Sequence, residues 1–244
     1  MQLKTVPLID GSQQTALRLL SWDTGSGNQL PGTIIYAGRF DPPTRAHQAV
    51  VAALDLFAQL LTASLQGSWA VVLWPHEAYG DKEVHAHHDV RKVWMQRLVQ
   101  GLQVTSLHDV WTDSAGKRAY VPQMKMYREY RTTRLLAPDG EAFIVPVNVV
   151  QVIGADNVAH IRTWEEPEEL WKRNWLILPR PGSVLPLELP PHSHVLGSGY
   201  YRPHDMSATD VRDKIAAGDN TWRTMVMPGV AAAIEQYGLY GYQP

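Results

Sequence analysis

The run from Thr33 to His47 constrains the chain more than any other stretch. Thr33-Ile34-Ile35-Tyr36-Ala37 is apolar and β-branched, Gly38-Arg39-Phe40-Asp41-Pro42-Pro43 is turn-rich, and helical spacing begins near Thr44-Arg45-Ala46-His47. That order is strand, glycine turn, helix start. A helix start exposes unpaired backbone N–H groups and positive dipole, a seat for phosphate. A Thr and a His at that seat suggest phosphoryl chemistry, although a plain helix N-terminus with a surface His fits the same residues.

Beyond the turn, Val50, Leu54, Phe57 and Leu61 mark one buried helical face. Trp69 to Trp74 is a continuous apolar run, expected of a strand covered on both sides and stopped by Pro75. Val90 to Val99 reads as helix with Gly101 behind it. Val147 to Ile153, ending at Gly154, and Asn174 to Leu178 read as strands. Pro179 to Pro191 is loop, and Thr209 to Ala217 and Val230 to Tyr237 are short helices. Thr112 to Ala142 is polar and hard to place, with a turn signal at Pro138-Asp139-Gly140. The alternation predicts an α/β protein with a doubly wound parallel sheet. Residues 1–30 are weakly patterned and read as an N-terminal extension, either an edge strand or surface packing, beside one domain over 31–244.

The 244 residues suffice for a sizeable core, and 45% apolar and 19% charged residues suit a soluble globular protein. The formal charge of −2 argues against a nucleic-acid surface. Without cysteine, disulfides and Cys-ligated zinc are excluded. No apolar run long enough to span a bilayer and no leader pattern is evident, so no membrane partner is expected and cytoplasm is the default. Self-association is left open.

Two more constellations accompany Thr44 and His47, the first of them again at a strand end. Ile153-Gly154-Ala155-Asp156-Asn157 offers close backbone approach and an acceptor for a ribose hydroxyl or base amine; an Asp helix cap is the competing reading. Ser207-Ala208-Thr209-Asp210-Val211-Arg212 places two hydroxyls and a guanidinium at a helix start, a second phosphate clamp or an ordinary cap. His85, His87 and His88 read as a solvated loop rather than a metal site. Arg128, Arg131 and Arg134 read as a solvated face, although they could instead clamp a substrate. Glu165 to Glu169 reads as an acidic helix start. Trp69 and Trp175 read as core, while Trp74, at a strand end, is a candidate for lining a second-substrate pocket.

Taken in order, these pieces resemble the nicotinate/nicotinamide mononucleotide adenylyltransferase family, of the nucleotidyltransferase superfamily with its [His/Thr]-x-Gly-His signature. The resemblance runs from about Thr33 to Tyr240. It rests on Phe40-Asp41-Pro42-Pro43, Trp74-Pro75, Arg91 with Met95, Gly154-Ala155-Asp156-Asn157 with Trp164, Arg180-Pro181-Gly182, Ser207-Ala208-Thr209 with Arg212, Pro228 with Val230, and Gly238-Leu239-Tyr240.

It implies a Rossmann-like nucleotidyltransferase fold and transfer of AMP from ATP to a pyridine mononucleotide, with magnesium arriving with ATP. His47, Thr44 and Arg212 would be catalytic. Gly38, Arg39, Phe40, His47, Gly154, Asp156, Ser207, Thr209 and Arg212 would bind ATP. Trp74, Lys82, Arg91, Trp164 and Arg180 would face the acceptor. Three positions depart from the family: Thr44 where this branch carries a His, Arg39 in place of a small residue, and Ala46 in place of Gly. The family's Thr-x-x-Thr-Leu-like pocket segment is not found between Lys117 and Pro146. Another phosphorylated acceptor such as phosphopantetheine, a cytidylyl transfer, or a nucleotide sensor without turnover stay open as alternatives.

Overall fold

The computed structural model describes residues 8–9, 31–65, 67–76, 85–108, 123–136, 142–197, 199 and 201–244. The strands are β1 (Leu8–Ile9), β2 (Gly32–Gly38), β3 (Trp69–Pro75), β4 (Thr105–Leu107), β5 (Thr132–Leu136), β6 (Ala142–Pro146), β7 (Asn148–Gly154), β8 (Asn174–Leu178) and β9 (Ser193–Leu196). The helices are α1 (Arg45–Leu65), α2 (His88–Val99), α3 (Gln123–Tyr130), α4 (Pro167–Trp171), α5 (Ala208–Ala216) and α6 (Pro228–Tyr237).

Seven strands form one parallel sheet in the order β1-β9-β8-β7-β2-β3-β4. From β2 the chain builds outward through β3 and β4; from β7 it builds the other way through β8 and β9. Between β2 and β7 lies the switch point, beyond whose carboxyl end such sheets bind ligands. The expected doubly wound α/β fold is the observed one.

Alternation along each strand sends side chains to opposite faces. On one face Ile34, Val71, Leu73, Val150, Val152, Leu176 and Leu196 pack against Val51, Leu54, Ala58 and Leu61 of α1. On the other, Ile35, Trp74 and Val149 meet Met126 of α3, and Ile153, Trp175 and Ile177 meet Val158, Ile161 and Leu170. A third cluster, around Trp94, Val211, Trp222, Val230 and Ile234, packs the last two helices on α2. Trp69 and Trp175 are core, as expected. By length and composition α1 does pass for a membrane span, contrary to expectation, but its Leu54, Ala58 and Leu61 are buried against the sheet.

The expected strands and helices appear within a residue or two. Four features were not anticipated. β4 is only three residues long. α3 splits its apolar residues between two clusters, Met124 in one and Met126 in another, which blurs its helical period. β5 and β6 pair antiparallel around 137–140, so the Pro138-Asp139-Gly140 turn signal falls between two strands but outside the described residues. β9 hides behind the Pro-rich loop because Ser193 and His194 break its apolar pattern, yet both are buried. Leu8–Ile9 pairs parallel with Val195–Leu196 as the outermost strand. The acidic stretch starts α4, with Glu168 and Glu169 in its first turn. Arg128 pairs at the surface with Glu166, at 2.9 and 2.5 Å.

His76 and His194 are buried, and burial first, then a neighbouring cation or imidazole, lowers each pKa from 6.5 to about 4. The unfolded chain therefore binds more protons between about pH 6.5 and 4, so stability is full above this window and falls as the pH drops through it. The thermal midpoint should fall between about pH 7 and about pH 5, and His194→Gln should make that fall shallower. An unchanged slope in the variant would show that His194 does not carry it.

Candidate active site

The turn after β2 is held by an unusual number of ties. Phe40 adopts left-handed backbone (φ 50°), which costs a non-glycine residue on the order of 1–2 kcal/mol. Its ring is 2% exposed, edge-on to Tyr36 and His47 with centroids at 5.5 and 5.1 Å. A Cβ at Gly38 would lie 3.2 Å from that ring, which would have to give by a few tenths of an ångström. Asp41 follows, joined to Pro42 by a cis bond. Its carboxylate accepts the backbone N–H groups of His85 (2.7 Å) and Ala86 (3.1 Å) and the Tyr240 hydroxyl (2.6 Å). Its backbone carbonyl accepts Arg212 Nη1 at 2.6 Å. Burial and the Asp41 charge push the Tyr240 phenol far above its ordinary pKa, so it stays a donor. From below, Arg91 Nη1 donates to the carbonyls of Arg39 and His76, both at 2.8 Å.

Thr44 is the N-cap of α1: its carbonyl accepts Gln48 N–H and its hydroxyl accepts His47 N–H at 3.4 Å. The same residue fixes the His47 ring. Thr44 N–H donates to Nδ1 at 3.0 Å, and the hydroxyl lies 2.8 Å from the same atom. An Nδ1 that accepts leaves the proton on Nε2, the nitrogen free to donate. Burial, then the Arg180 charge, lowers the His47 pKa from 6.5 to about 4. At neutral pH it is an uncharged Nε2–H donor.

Around it lies a cavity of about 320 Å³, in the size range of small-molecule sites. The starts of α1 (Ala46, His47) and α5 (Ser207, Ala208, Thr209) both line it, so two helix N-termini bring positive dipole to one space. Ser207 caps α5 reciprocally with Asp210. Arg212, one turn into α5, holds Thr209 Oγ1 at 3.1 Å as well as the Asp41 carbonyl. On the far wall Arg180 Nη1 pairs with Asp156 Oδ2 at 3.0 Å, the two side chains 45% and 39% exposed. Such a pair is worth little and can be exchanged for ligand at small cost.

Of the residues expected from sequence, Gly38, Arg39, Phe40, His47, Gly154, Asp156, Arg180, Ser207, Thr209 and Arg212 line this one cavity. Three assignments are corrected. Thr44 is fully buried with its hydroxyl on His47, so it orients the imidazole and is not among the residues lining the cavity. Arg91 is fully buried and braces carbonyls rather than meeting an acceptor. Trp74 is 2% exposed, stacked on His108 at 3.7 Å beneath Tyr130, and is not among the residues lining the cavity around His47. Trp164 stands apart from the cavity, packed near Trp175. Lys82 lies outside the described residues. His85 gives its backbone N–H to Asp41, and His87 caps α2. A Cβ at Gly154 would lie 2.5 Å from Asp156 Oδ1, so that carboxylate would have to shift.

Sequence reasoning missed Tyr36, Tyr201 and His204, which also line the cavity. Tyr36 had a signal, since it lies two residues before the strand-end glycine and so shares its side of the sheet. Tyr201 and His204 lie in irregular chain with none.

No protein-family model matches the chain. It is 32% identical over 123 residues to an Arthrobacter sp. (strain FB24) protein named "Probable nicotinate-nucleotide adenylyltransferase", covering 46% of this chain and 49% of that one. A Leifsonia xyli subsp. xyli (strain CTCB07) protein of the same name is 33% identical over 105 residues, 42% of this chain and 48% of that one. The chain thus spans about half the length of the curated relatives it matches. Among solved structures, Plasmodium falciparum nicotinic acid mononucleotide adenylyltransferase complexed with NaAD is similar at a TM-score of 0.65 and 18% identity, covering 87% of this chain and 98% of that one. Its complex with APC gives 0.61 and 17%, with the same coverage. These structures share the fold.

Asp41→Ala would leave two backbone N–H groups and a phenol without their acceptor in a buried place. Unfolding in denaturant should show a loss of about 2–4 kcal/mol at unchanged m. A loss under about 0.5 kcal/mol would mean water replaces the carboxylate.

Proposed function

We propose that this chain transfers AMP from magnesium-bound ATP to a pyridine mononucleotide, nicotinate mononucleotide foremost, giving the dinucleotide and pyrophosphate. One observation carries the reading: a neutral His47 donor, the Arg212 guanidinium and two helix N-termini converge on one cavity at the sheet's switch point. The relatives' names point to the pyridine acceptor.

In this reaction an oxygen of the acceptor's phosphate attacks the α-phosphorus of ATP. The bond from that phosphorus to the bridging oxygen breaks, and pyrophosphate leaves with the electron pair. The acceptor's second phosphate proton is largely lost by neutral pH, with a pKa of about 6, so the nucleophile needs no base. The residues agree with that demand. His47 Nδ1 is occupied by Thr44, and Asp41 is engaged by Tyr240 and two backbone N–H groups. What the site supplies is position and positive potential. His47 Nε2–H would bond a phosphate oxygen as charge builds. Thr209, Arg212 and the N–H groups starting α5 would grip the leaving phosphates. Gly154 and Asp156 would receive the nucleoside, Asp156 exchanging its ion pair with Arg180 for hydroxyl or amine donors. Magnesium would arrive with the ATP substrate and would supply neutralisation of charge on its phosphates.

The relatives' names favour a pyridine acceptor over phosphopantetheine, and the Thr44 hydroxyl, which serves the His47 ring from within the protein, does not discriminate between them. Pyrophosphate release should therefore be rapid with nicotinate or nicotinamide mononucleotide and absent with phosphopantetheine; the opposite order would overturn the acceptor. His47→Ala should lower kcat by about 100- to 1000-fold with little change in ATP affinity. Thr44→Val should cost about tenfold, since the Thr44 N–H still holds the ring. The acid limb of turnover should follow the acceptor phosphate near pH 6, because His47 protonates only near 4. A limb near 6 that disappears in His47→Asn would sink the neutral-donor role.

A further inference from the structure

Away from the sheet, α2 exposes Asp89, Val93 and Arg97, residues a turn apart on one stripe, with Val93 45% exposed. α6 runs beside it. Between the two helices lies a groove of about 330 Å³, lined by Val90, Val93 and Trp94 on one side and Ala232, Ala233 and Tyr237 on the other. Tyr237 is 57% exposed at its end. Gly229 opens the groove for Arg97: a Cβ there would fall 2.3 Å from Arg97 Nη1. Among the described residues Arg97 makes no ion pair, and Asp89 meets only the exposed His87 ring, at 3.4 Å. Unlike charges thus stand at equal distances on either side of an exposed valine, each four residues or about 6 Å along the axis.

We propose that this face joins a second copy of the chain about a two-fold axis through Val93, α2 lying antiparallel to its counterpart. The pattern is self-complementary only in that arrangement. Antiparallel pairing about Val93 sets Asp89 against the partner's Arg97 and Arg97 against the partner's Asp89, while parallel pairing would set like charges together. The two valines meet on the axis. The small Ala232 and Ala233 admit the partner helix to the groove, and Tyr237 covers its flank. The exposed charge pairs set register and orientation, and the apolar strip contributes most of the affinity. The face shares no lining residue with the strand-end cavity, so the inference stands whether or not the proposed chemistry does. Arg91, on the opposite side of α2, leaves the first turn braced in either copy.

Sedimentation velocity of the full chain from about 1 to about 100 µM, at low and high salt, is the test. A concentration-dependent dimer that weakens with salt is expected. Arg97→Glu should raise its dissociation constant about tenfold or more without lowering the thermal midpoint. Combining Asp89→Arg with Arg97→Glu exchanges the charges and should restore the wild-type constant to within about threefold. Val93→Glu, which sets two carboxylates on the axis, should abolish the dimer. A chain still monomeric at the highest concentration overturns the proposal, as does a double variant no tighter than Arg97→Glu alone.

Discussion

One carboxylate organises the candidate site. Asp41 stands on a turn whose preceding residue is strained, and it draws three distant pieces of chain onto that turn. Tyr240, 199 residues away, donates to its side chain, and Arg212, 171 residues away, donates to its carbonyl. The backbone ahead of α2 supplies the other two donors. A buried carboxylate is costly unless such donors surround it. Because they do, the first turn, the start of α5 and the end of the chain share one arrangement. The guanidinium that would meet phosphate is thereby held by the same residue that anchors the turn.

His47 follows the same logic at shorter range. The N-cap residue of its own helix supplies two contacts to one ring nitrogen, and this decides which nitrogen faces the cavity. Burial and Arg180 then keep the ring neutral. A neutral donor among cations and helix dipoles suits charge that grows on phosphate oxygens, because nothing in the site must change protonation while that charge moves.

The proposed reaction and the proposed dimer use opposite ends of one helix arrangement. The inner side of α2 carries Arg91 to the first turn and the outer side carries Asp89, Val93 and Arg97 to solvent. That division follows from helical period alone, since residues 89, 93 and 97 share a stripe from which residue 91 is turned away.

By itself the sequence determined the parallel α/β architecture, most element positions, and the ten residues that gather in the strand-end cavity. Most of these signals are local, namely apolar runs, helical spacing, a glycine at a strand end and a hydroxyl before a helix, while Arg39, Phe40 and Arg180 come from the family resemblance. Tertiary structure alone decided which polar residues face ligand. Thr44, Arg91 and Trp74 sit at positions that read as site walls, yet all three are buried: Thr44 turns onto His47 of the helix it caps, and the other two meet partners across the fold. Arg91 meets a carbonyl 52 residues earlier, and Trp74 stacks on a histidine from the neighbouring strand. The same holds for β9 and α3, whose burial comes from the layers they enter rather than from their own pattern. Local spacing sets which way a side chain leaves its element; only packing between elements sets what it meets there.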